Sequence, residues 1–206
     1  EGLAKILREK TSRMGRAIYL ISDDPYKKIV FDGVETPNVM EFYENSIYIT
    51  SHSKDLAVPG ERIGFAALHP RCEDARGIME GLVFCNRVLG FVNAPALIQR
   101  TVKNLQNARV DAERYRRTRD FLYGELTRIG YQLVKPQGAF YMFPRSPMED
   151  EVEFCRILAG KKVLVVPGRG FGSPGFFRLA YCVPDEVVER SIPGFEAAYH
   201  EAKKAS

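Results

Sequence analysis

The 206-residue sequence has 45% apolar and 27% charged residues, which is typical of globular proteins and enough for one large or two small domains. Its formal net charge of +4 is too small to predict nucleic-acid binding, and no apolar run reaches the roughly 20 residues of a membrane-spanning helix. The four cysteines include no C-x-x-C pair, which favours reduced thiols and a cytoplasmic protein.

The first hundred residues alternate between helix and strand patterns. Residues 1–14 predict an amphipathic helix that ends at Gly15. Its apolar face consists of Leu3, Ile6, Leu7 and Met14. Strand-length runs follow at 17–21, 27–31, 46–50 and 63–69, and a helix is predicted at 72–89. The run at 17–21 has the length of a buried parallel strand.

The second half begins with one long helical pattern, which is followed by short strands and helices. The helix is predicted over 96–129. Strands are predicted at 131–134, 139–143, 163–166 and 176–181, and helices at 149–158 and 185–203. Short helices on an antiparallel sheet make a smaller α+β domain. We therefore predict two domains, residues 1–108 and 109–206.

Two clusters favour structural interpretations over functional ones. The long helix carries arginines at 109, 114, 116, 117 and 119, interleaved with Asp111, Glu113 and Asp120. A solvated face with i,i+4 ion pairs explains them better than nucleic-acid binding. His69 with Cys72 and Cys85 does not complete a set of zinc ligands, so no metal is expected.

Polar residues follow the run at 17–21, in the order Ser22-Asp23-Asp24-Pro25-Tyr26. Ligands commonly bind where the strands of an open α/β sheet end. An Asp-Pro turn beside a half-buried tyrosine is the structural alternative. Asp23 and Asp24 are both candidates for a carboxylate that faces a ligand.

The residues from Ser51 to Gly64 form the most informative motif of the chain. One lysine, Lys54, lies between two serine hydroxyls and an arginine, with Pro59-Gly60 forming a turn between them. A lysine amine can form a Schiff base with an aldehyde. Hydroxyls and the planar guanidinium of Arg62 suit a phosphate group.

This S-x-S-K-x-x-x-x-x-G-x-R-x-G pattern resembles the cofactor-lysine signature of the pyridoxal-phosphate aminotransferases of fold type I, class I/II. The resemblance implies that Lys54 binds the cofactor aldehyde and that Ser51, Ser53 and Arg62 bind its phosphate. The family also has an aspartate for the pyridine nitrogen and, three residues later, a tyrosine for the ring oxygen. That spacing selects Asp23 with Tyr26 rather than Asp24. His52 is a spacer in the family pattern.

Two motifs of the second half fit the same resemblance. The segment V-L-V-V-P-G-R-G-F-G at 163–172 is a weak dinucleotide-binding motif, because Ser173 stands where a glycine is needed and a strand follows. It is similar to a V-P-G-x-x-F-G loop of the aminotransferases. The next strand places Arg178 among apolar residues, where a buried guanidinium needs an anionic partner. The resemblance makes Arg178 the ligand of the substrate carboxylate; an internal ion pair is the alternative.

The resemblance implies an α/β fold, namely the C-terminal part of the mostly parallel large-domain sheet followed by the small α+β domain. It implies amino transfer from an L-amino acid to a 2-oxo acid, in a homodimer similar to the aspartate aminotransferases. The chain begins at Glu1 without a methionine, so we expect a fragment that is inactive alone. A pyridoxal-phosphate lyase or decarboxylase remains an alternative, as does a non-catalytic nucleotide-binding or regulatory module.

Overall fold

The computed structural model describes the backbone of residues 1–205 and the side chains of residues 1–204. The chain divides into two compact units. Unit 1 contains residues 1–30 and 34–110, and unit 2 contains residues 31–33 and 111–206. None of the described helices is both long and apolar enough to cross a membrane.

Unit 1 combines a three-stranded sheet with four helices. The strands are β1 (Leu20–Asp23), β2 (Ser46–Ser51) and β3 (Gly64–Leu68), in the order β1-β2-β3. β1 runs parallel to β2, and β3 runs antiparallel to it. The helices are α1 (Gly2–Met14), α2 (His52–Asp55), α3 (Ala75–Val88) and α4 (Ala96–Lys103).

The first helix ends as predicted, but its apolar face is open in this chain. Gly15 adopts the left-handed conformation with φ 63° and closes the helix on the Thr11 carbonyl. Leu3, Ile6 and Met14 are each about half exposed, and only Ala4 of this helix is buried.

Two strand predictions in unit 1 need correction. The first strand begins at Leu20 rather than at residue 17, and burial alternates along it, so the prediction of a fully buried strand is wrong. Residues 25–28 form turns rather than part of a strand. Ile29 is nevertheless fully buried. The apolar residues at 27–31 therefore reflect burial, and they predicted a strand wrongly because a buried residue can also follow a turn.

The single long helix predicted over 96–129 is two helices. Helix α4 ends at Lys103, and α5 (Ala112–Ile129) begins after Asp111. The Asp111 carboxylate accepts a hydrogen bond from the Arg114 backbone N–H, which is a typical N-cap. The loop 104–111 thus contains the division between the units.

Unit 2 packs its helices around a small antiparallel sheet. The strands β4 (Tyr141–Met142), β5 (Val166–Pro167) and β6 (Phe177–Ala180) have the order β4-β6-β5. Helix α5 is joined by α6 (Glu151–Gly160) and α7 (Asp185–Ala205). The predicted strand at 131–134 is absent; Tyr131 is instead buried, with its hydroxyl donating to the Phe195 carbonyl at 2.9 Å.

The arginine cluster of α5 is only partly a solvated face. Arg116 pairs with Glu113 and Asp120 along the helix, as expected. Arg119, however, is completely buried. Its guanidinium donates to both Asp32 carboxylate oxygens, at 2.6 and 2.9 Å, and to the Pro136 carbonyl. These contacts lower the pKa of Asp32, chiefly through the hydrogen bonds from Arg119.

Candidate active site

The register of the unit 1 sheet brings two predicted site residues to one face. Asp23 lies opposite Ile49 in the parallel pair, and Ser51 lies opposite Gly64 in the antiparallel pair. Since side chains alternate along a strand, Asp23, Ile49 and Ser51 face the same side of the sheet. The aspartate and the serine thus share one face, each at the last residue of its strand.

The neighbouring Asp24 is tied into the end of the sheet. Its carboxylate accepts a hydrogen bond from Ser22 Oγ at 2.7 Å. Its backbone N–H donates to the Ile49 carbonyl, and its own carbonyl accepts from Thr50 Oγ1 at 3.1 Å. Asp23 is exposed, whereas Asp24 is partly buried. The two adjacent carboxylates therefore differ in surroundings.

Lys54 lies in the one-turn helix α2, directly after β2. Its Nζ is 6.0 Å from the centre of the Tyr26 ring, within the range of a cation–π contact. Ser51 precedes the helix in an extended conformation, and its hydroxyl makes no capping hydrogen bond. Ser51, Ser53 and Lys54 are all partly exposed. The segment therefore presents two hydroxyls and an amine along one short stretch of backbone.

The rest of the motif forms a tight return to the sheet. A 3₁₀ turn at Pro59–Glu61 ends at Arg62, which has a left-handed backbone with φ 49°. The exposed Arg62 guanidinium donates to the Pro59 carbonyl at 3.1 Å. The His52 backbone N–H donates to the Ile63 carbonyl at 3.0 Å and closes the loop.

Steric contact explains why the last residue of the motif, Gly64, is a glycine. A Cβ atom at Gly64 would collide with the Thr50 carbonyl oxygen and lie 3.0 Å from the Ser51 Cα. Any larger residue would therefore displace the strand that ends in Ser51. Sequence reasoning named this glycine only as part of a pattern, and the backbone contact explains it.

Three further residues of this region were missed. His52, interpreted as a spacer, is buried, and its Nδ1 lies 3.3 Å from the Asp55 carboxylate. Lys28 Nζ lies 3.1 Å from the same carboxylate. The i,i+3 spacing of His52 and Asp55 was a signal for their contact, but nothing in the sequence indicated Lys28.

Arg178, in unit 2, lies between two aromatic rings. The centre of its guanidinium is 4.2 Å from the Phe171 ring centre and 4.7 Å from the Tyr141 ring centre. The prediction that Arg178 is buried is wrong, because the residue is partly exposed. Within the described part of unit 2, no carboxylate lies within salt-bridge distance of it. Because both faces of the guanidinium contact aromatic rings, the N–H groups at its edge are the part that can bind an anion.

The glycine-containing loop before β6 includes Phe171 and has close backbone contacts. A Cβ atom at Gly168 would collide with the Ser173 carbonyl and approach the Phe176 carbonyl to 2.6 Å. Gly168 also exchanges backbone hydrogen bonds with these two residues. A short 3₁₀ turn at Gly168–Phe171 follows β5, so this segment has the strand–loop–strand form expected of the aminotransferase loop.

A buried carboxylate anchors the same loop. Arg169 Nε donates to Glu151 Oε1 at 2.7 Å, and the Gly175 backbone N–H donates to Glu151 Oε2 at 3.3 Å. The hydrogen bond from Arg169, with smaller contributions from backbone donors, lowers the pKa of Glu151 to about 2. The charged Glu151 therefore links α6 to both ends of the loop.

A cavity of about 770 Å³ in unit 2 contains none of the predicted site residues. It is lined by residues of the 130–132, 145–150 and 175 segments together with Tyr199 and Lys203. No chemistry of the predicted site depends on it.

Comparison with known proteins identifies relatives over nearly the whole chain. Aspartate aminotransferase of Thermotoga maritima is 30% identical over 201 residues, which are 95% of this chain and 50% of that protein. A probable aspartate/prephenate aminotransferase of Aquifex aeolicus is 31% identical, over 90% of this chain and 50% of its own length. The chain thus spans about half the length of the curated relatives it matches.

Solved structures show the same relationship. An amino transferase from Eubacterium rectale superposes with a TM-score of 0.92 at 40% identity, covering 98% of this chain and 50% of that one. Aspartate aminotransferase of Thermotoga maritima superposes with a TM-score of 0.77 at 26% identity. The sequence profile of aminotransferase class I and II matches residues 5–193. The chain therefore belongs to the class I and II aminotransferases.

Proposed function

We propose that the protein containing this chain uses pyridoxal phosphate to transfer an amino group from an L-amino acid to a 2-oxo acid, in the manner of the aspartate aminotransferases. Family membership supports the cofactor and the reaction type. The observation that carries the site assignment is the position of Lys54. It follows a strand whose last residue, Ser51, shares a sheet face with Asp23, and its amine lies beside Tyr26.

The donors in this part of unit 1 fit the cofactor. Bound pyridoxal phosphate supplies an aldehyde that reacts with amines and a pyridine ring that accepts negative charge. Ser51, Ser53 and Arg62 offer two hydroxyls and a guanidinium for the phosphate. Arg62 suits this role because its exposed guanidinium has a single neutral backbone partner in the described structure.

Asp23 and Tyr26 suit the two polar atoms of the ring. A carboxylate stabilises the protonated form of a ring nitrogen because opposite charges attract. Asp23 fits this role better than Asp24, whose carboxylate already accepts the Ser22 hydroxyl. The Tyr26 phenol is a donor for the ring oxygen.

Lys54 has two tasks in the proposed mechanism. Its amine is the nucleophile that binds the cofactor aldehyde. With the cofactor and an amino-acid substrate bound, the same amine would serve as the base that moves the proton of the substrate Cα atom. One residue can perform both tasks because a lysine amine is a nucleophile and a base when it is neutral.

Arg178 is proposed to bind the α-carboxylate of the substrate. The two aromatic rings orient its guanidinium, and the N–H edge can form a bidentate pair with a carboxylate. The absence of a carboxylate partner among the described residues of unit 2 disfavours the alternative of an ion pair within that unit.

The proposal extends to a homodimer in the cytoplasm. Unit 1 exposes a series of large apolar side chains on α3 and the loop after it, which a second subunit or another part of the protein could cover. All four cysteines are free thiols, which agrees with a reducing compartment.

The test uses the full-length protein with an amino donor, with and without a 2-oxo acid acceptor. We expect turnover only with the acceptor. In Lys54→Ala we expect the rate to fall by a factor of ~10²–10⁴ or more. Lys27→Met, which alters a nearby lysine, is the matched control. Product formation without an acceptor would indicate elimination or decarboxylation instead. Turnover in Lys54→Ala close to that of the control would contradict the assignment of Lys54.

A further inference from the structure

A buried carboxylate lies directly beside the proposed cofactor lysine. Asp55, the residue after Lys54, is 7% exposed, and His52, two residues before Lys54, is equally buried. His52 Nδ1 lies 3.3 Å from both Asp55 carboxylate oxygens. The two side chains therefore meet across the single turn of α2, on the side where the helix is buried.

The third member of this cluster comes from another segment. Lys28 Nζ lies 3.1 Å from Asp55 Oδ2, and it also donates to the Gln106 carbonyl at 3.3 Å. Lys28 stands two residues after Tyr26, at the end of the turn that follows β1. The Lys28–Asp55 ion pair therefore joins the segment of Asp23 and Tyr26 to the segment of Ser51 and Lys54.

The backbone of Asp55 is fixed as well. Its carbonyl accepts a hydrogen bond from the Val110 N–H at 2.8 Å. A buried, paired carboxylate with a fixed backbone is a stiff point in an otherwise partly exposed loop. The side chain of Lys54 starts from the residue immediately before this point.

We propose that Asp55 is a positioning residue, which through Lys28 and His52 holds the Lys54 backbone in register with the Asp23–Tyr26 segment. This inference rests on the proposed function of Lys54. The role proposed for Asp55 requires no contact with the reacting atoms. Its effect on the reaction comes from where it places the amine.

Substitutions of Lys28 test the ion pair most directly. Its side chain is 37% exposed, so its replacement creates no cavity in the buried interior. Lys28→Met removes the charge and keeps most of the volume. Lys28→Arg keeps the charge and serves as the rescue variant. Lys27→Met is the matched control, since Lys27 contacts the Tyr48 ring rather than Asp55. Asp55→Asn removes the central charge itself.

The first readout needs no cofactor. Hydrogen exchange of the backbone amides of residues 51–58 is measured in the full-length protein by mass spectrometry. We expect faster exchange in Lys28→Met and Asp55→Asn than in the wild type, and wild-type exchange in Lys27→Met and Lys28→Arg.

The second readout separates positioning from stability. A displacement of about 1 Å can cost ~10²-fold in rate, so we expect kcat of Lys28→Met to fall by roughly 10- to 100-fold with KM for the amino donor changed less than about threefold. Lys28→Arg should stay within about threefold of the wild type. If Asp55→Asn does not fold, Lys28→Met and its rescue decide the question.

Two results would overturn the inference. One is that Lys28→Met and Asp55→Asn match Lys27→Met in both exchange and kcat. The other is a lower melting temperature with unchanged kcat well below that temperature, which would make the cluster merely structural. Lys54→Ala is assayed in parallel. An active Lys54→Ala would overturn the proposed function itself, whereas an inactive one beside fully active Lys28 and Asp55 variants would overturn only the positioning role.

Discussion

Unit 2 contains 19 of the 26 buried apolar residues among those described, whereas unit 1 contains seven, although the two units are of similar length. Exposed large apolar side chains show the opposite distribution between the units. Of the 23 large apolar side chains that are exposed in the described structure, 15 belong to unit 1. They include Phe84, Leu89 and Phe91, each at least 65% exposed.

The two units surround their proposed functional groups in different ways. Arg178 lies between the Phe171 and Tyr141 rings, in the unit whose buried aromatic cluster is formed by Tyr131, Phe154 and Phe177. Lys54 follows strand β2, and its amine lies beside the Tyr26 ring, in the unit that has fewer buried apolar residues. Exposed apolar side chains of this number are typical of an interaction surface.

One substitution in each unit tests this difference most strongly. Phe154 of unit 2 is completely buried, and Phe84 of unit 1 is 65% exposed. In the 206-residue chain, Phe154→Ala should reduce the free energy of unfolding by about 3–5 kcal/mol. Phe84→Ala should change it by less than about 0.5 kcal/mol. Urea unfolding of each variant measures both values, and equal losses would contradict the contrast in packing.

The stacked arginine is the next test, since it shows what the packing of unit 2 provides. In the full-length protein, Arg178→Ala should lower kcat/KM by about 10- to 150-fold, because a hydrogen bond to a charged group contributes roughly 1.5–3 kcal/mol. Pyridoxal phosphate affinity should stay unchanged. Arg156→Ala, on an exposed arginine of the same unit, is the control. A parallel loss of cofactor affinity would assign Arg178 a different role.

A smaller effect is expected from the buried carboxylate that anchors the Phe171 loop. The folded-state pKa of Glu151 is about 2, below its ordinary value of 4.5. Its charged form therefore stabilises unit 2 above pH 4.5, and this contribution is lost as the pH falls toward 2.

Glu151→Gln should accordingly flatten the pH dependence of stability. We expect the melting temperature of the 206-residue chain to fall less between roughly pH 5 and pH 3 in Glu151→Gln than in the wild type or in Glu153→Gln. Glu153 is the control because its side chain, on the same helix, is 47% exposed. Identical pH profiles for all three proteins would show that the Arg169–Glu151 contact has no net effect.

The sequence predicted what short-range chemistry determines. The strands around Ser51 and Gly64, the turn at Pro59, and the closing of α1 by Gly15 depend on residues a few positions apart, and these features are present. The helix break at Asp111 was also visible in principle, as an N-cap residue. It was missed because the apolar pattern continues across it.

The remaining features depend on distant partners. Arg119 is buried because Asp32, 87 residues away, binds its guanidinium, and no local pattern distinguishes it from the exposed arginines beside it. The Lys28–Asp55 ion pair likewise joins residues that are distant in the sequence. The aromatic contacts of Arg178 require Phe171 and Tyr141 to converge from different segments, so the sequence could suggest its role but not its surroundings.

The central claim is that Lys54 is the amine that binds the cofactor aldehyde. The most direct test is borohydride reduction of the full-length protein with pyridoxal phosphate, followed by digestion and peptide mass spectrometry. The account predicts that the reduced cofactor is attached to the peptide that contains Lys54, and that the modification is absent in Lys54→Ala. Stoichiometric attachment at another lysine, such as Lys27 or Lys28, would contradict it.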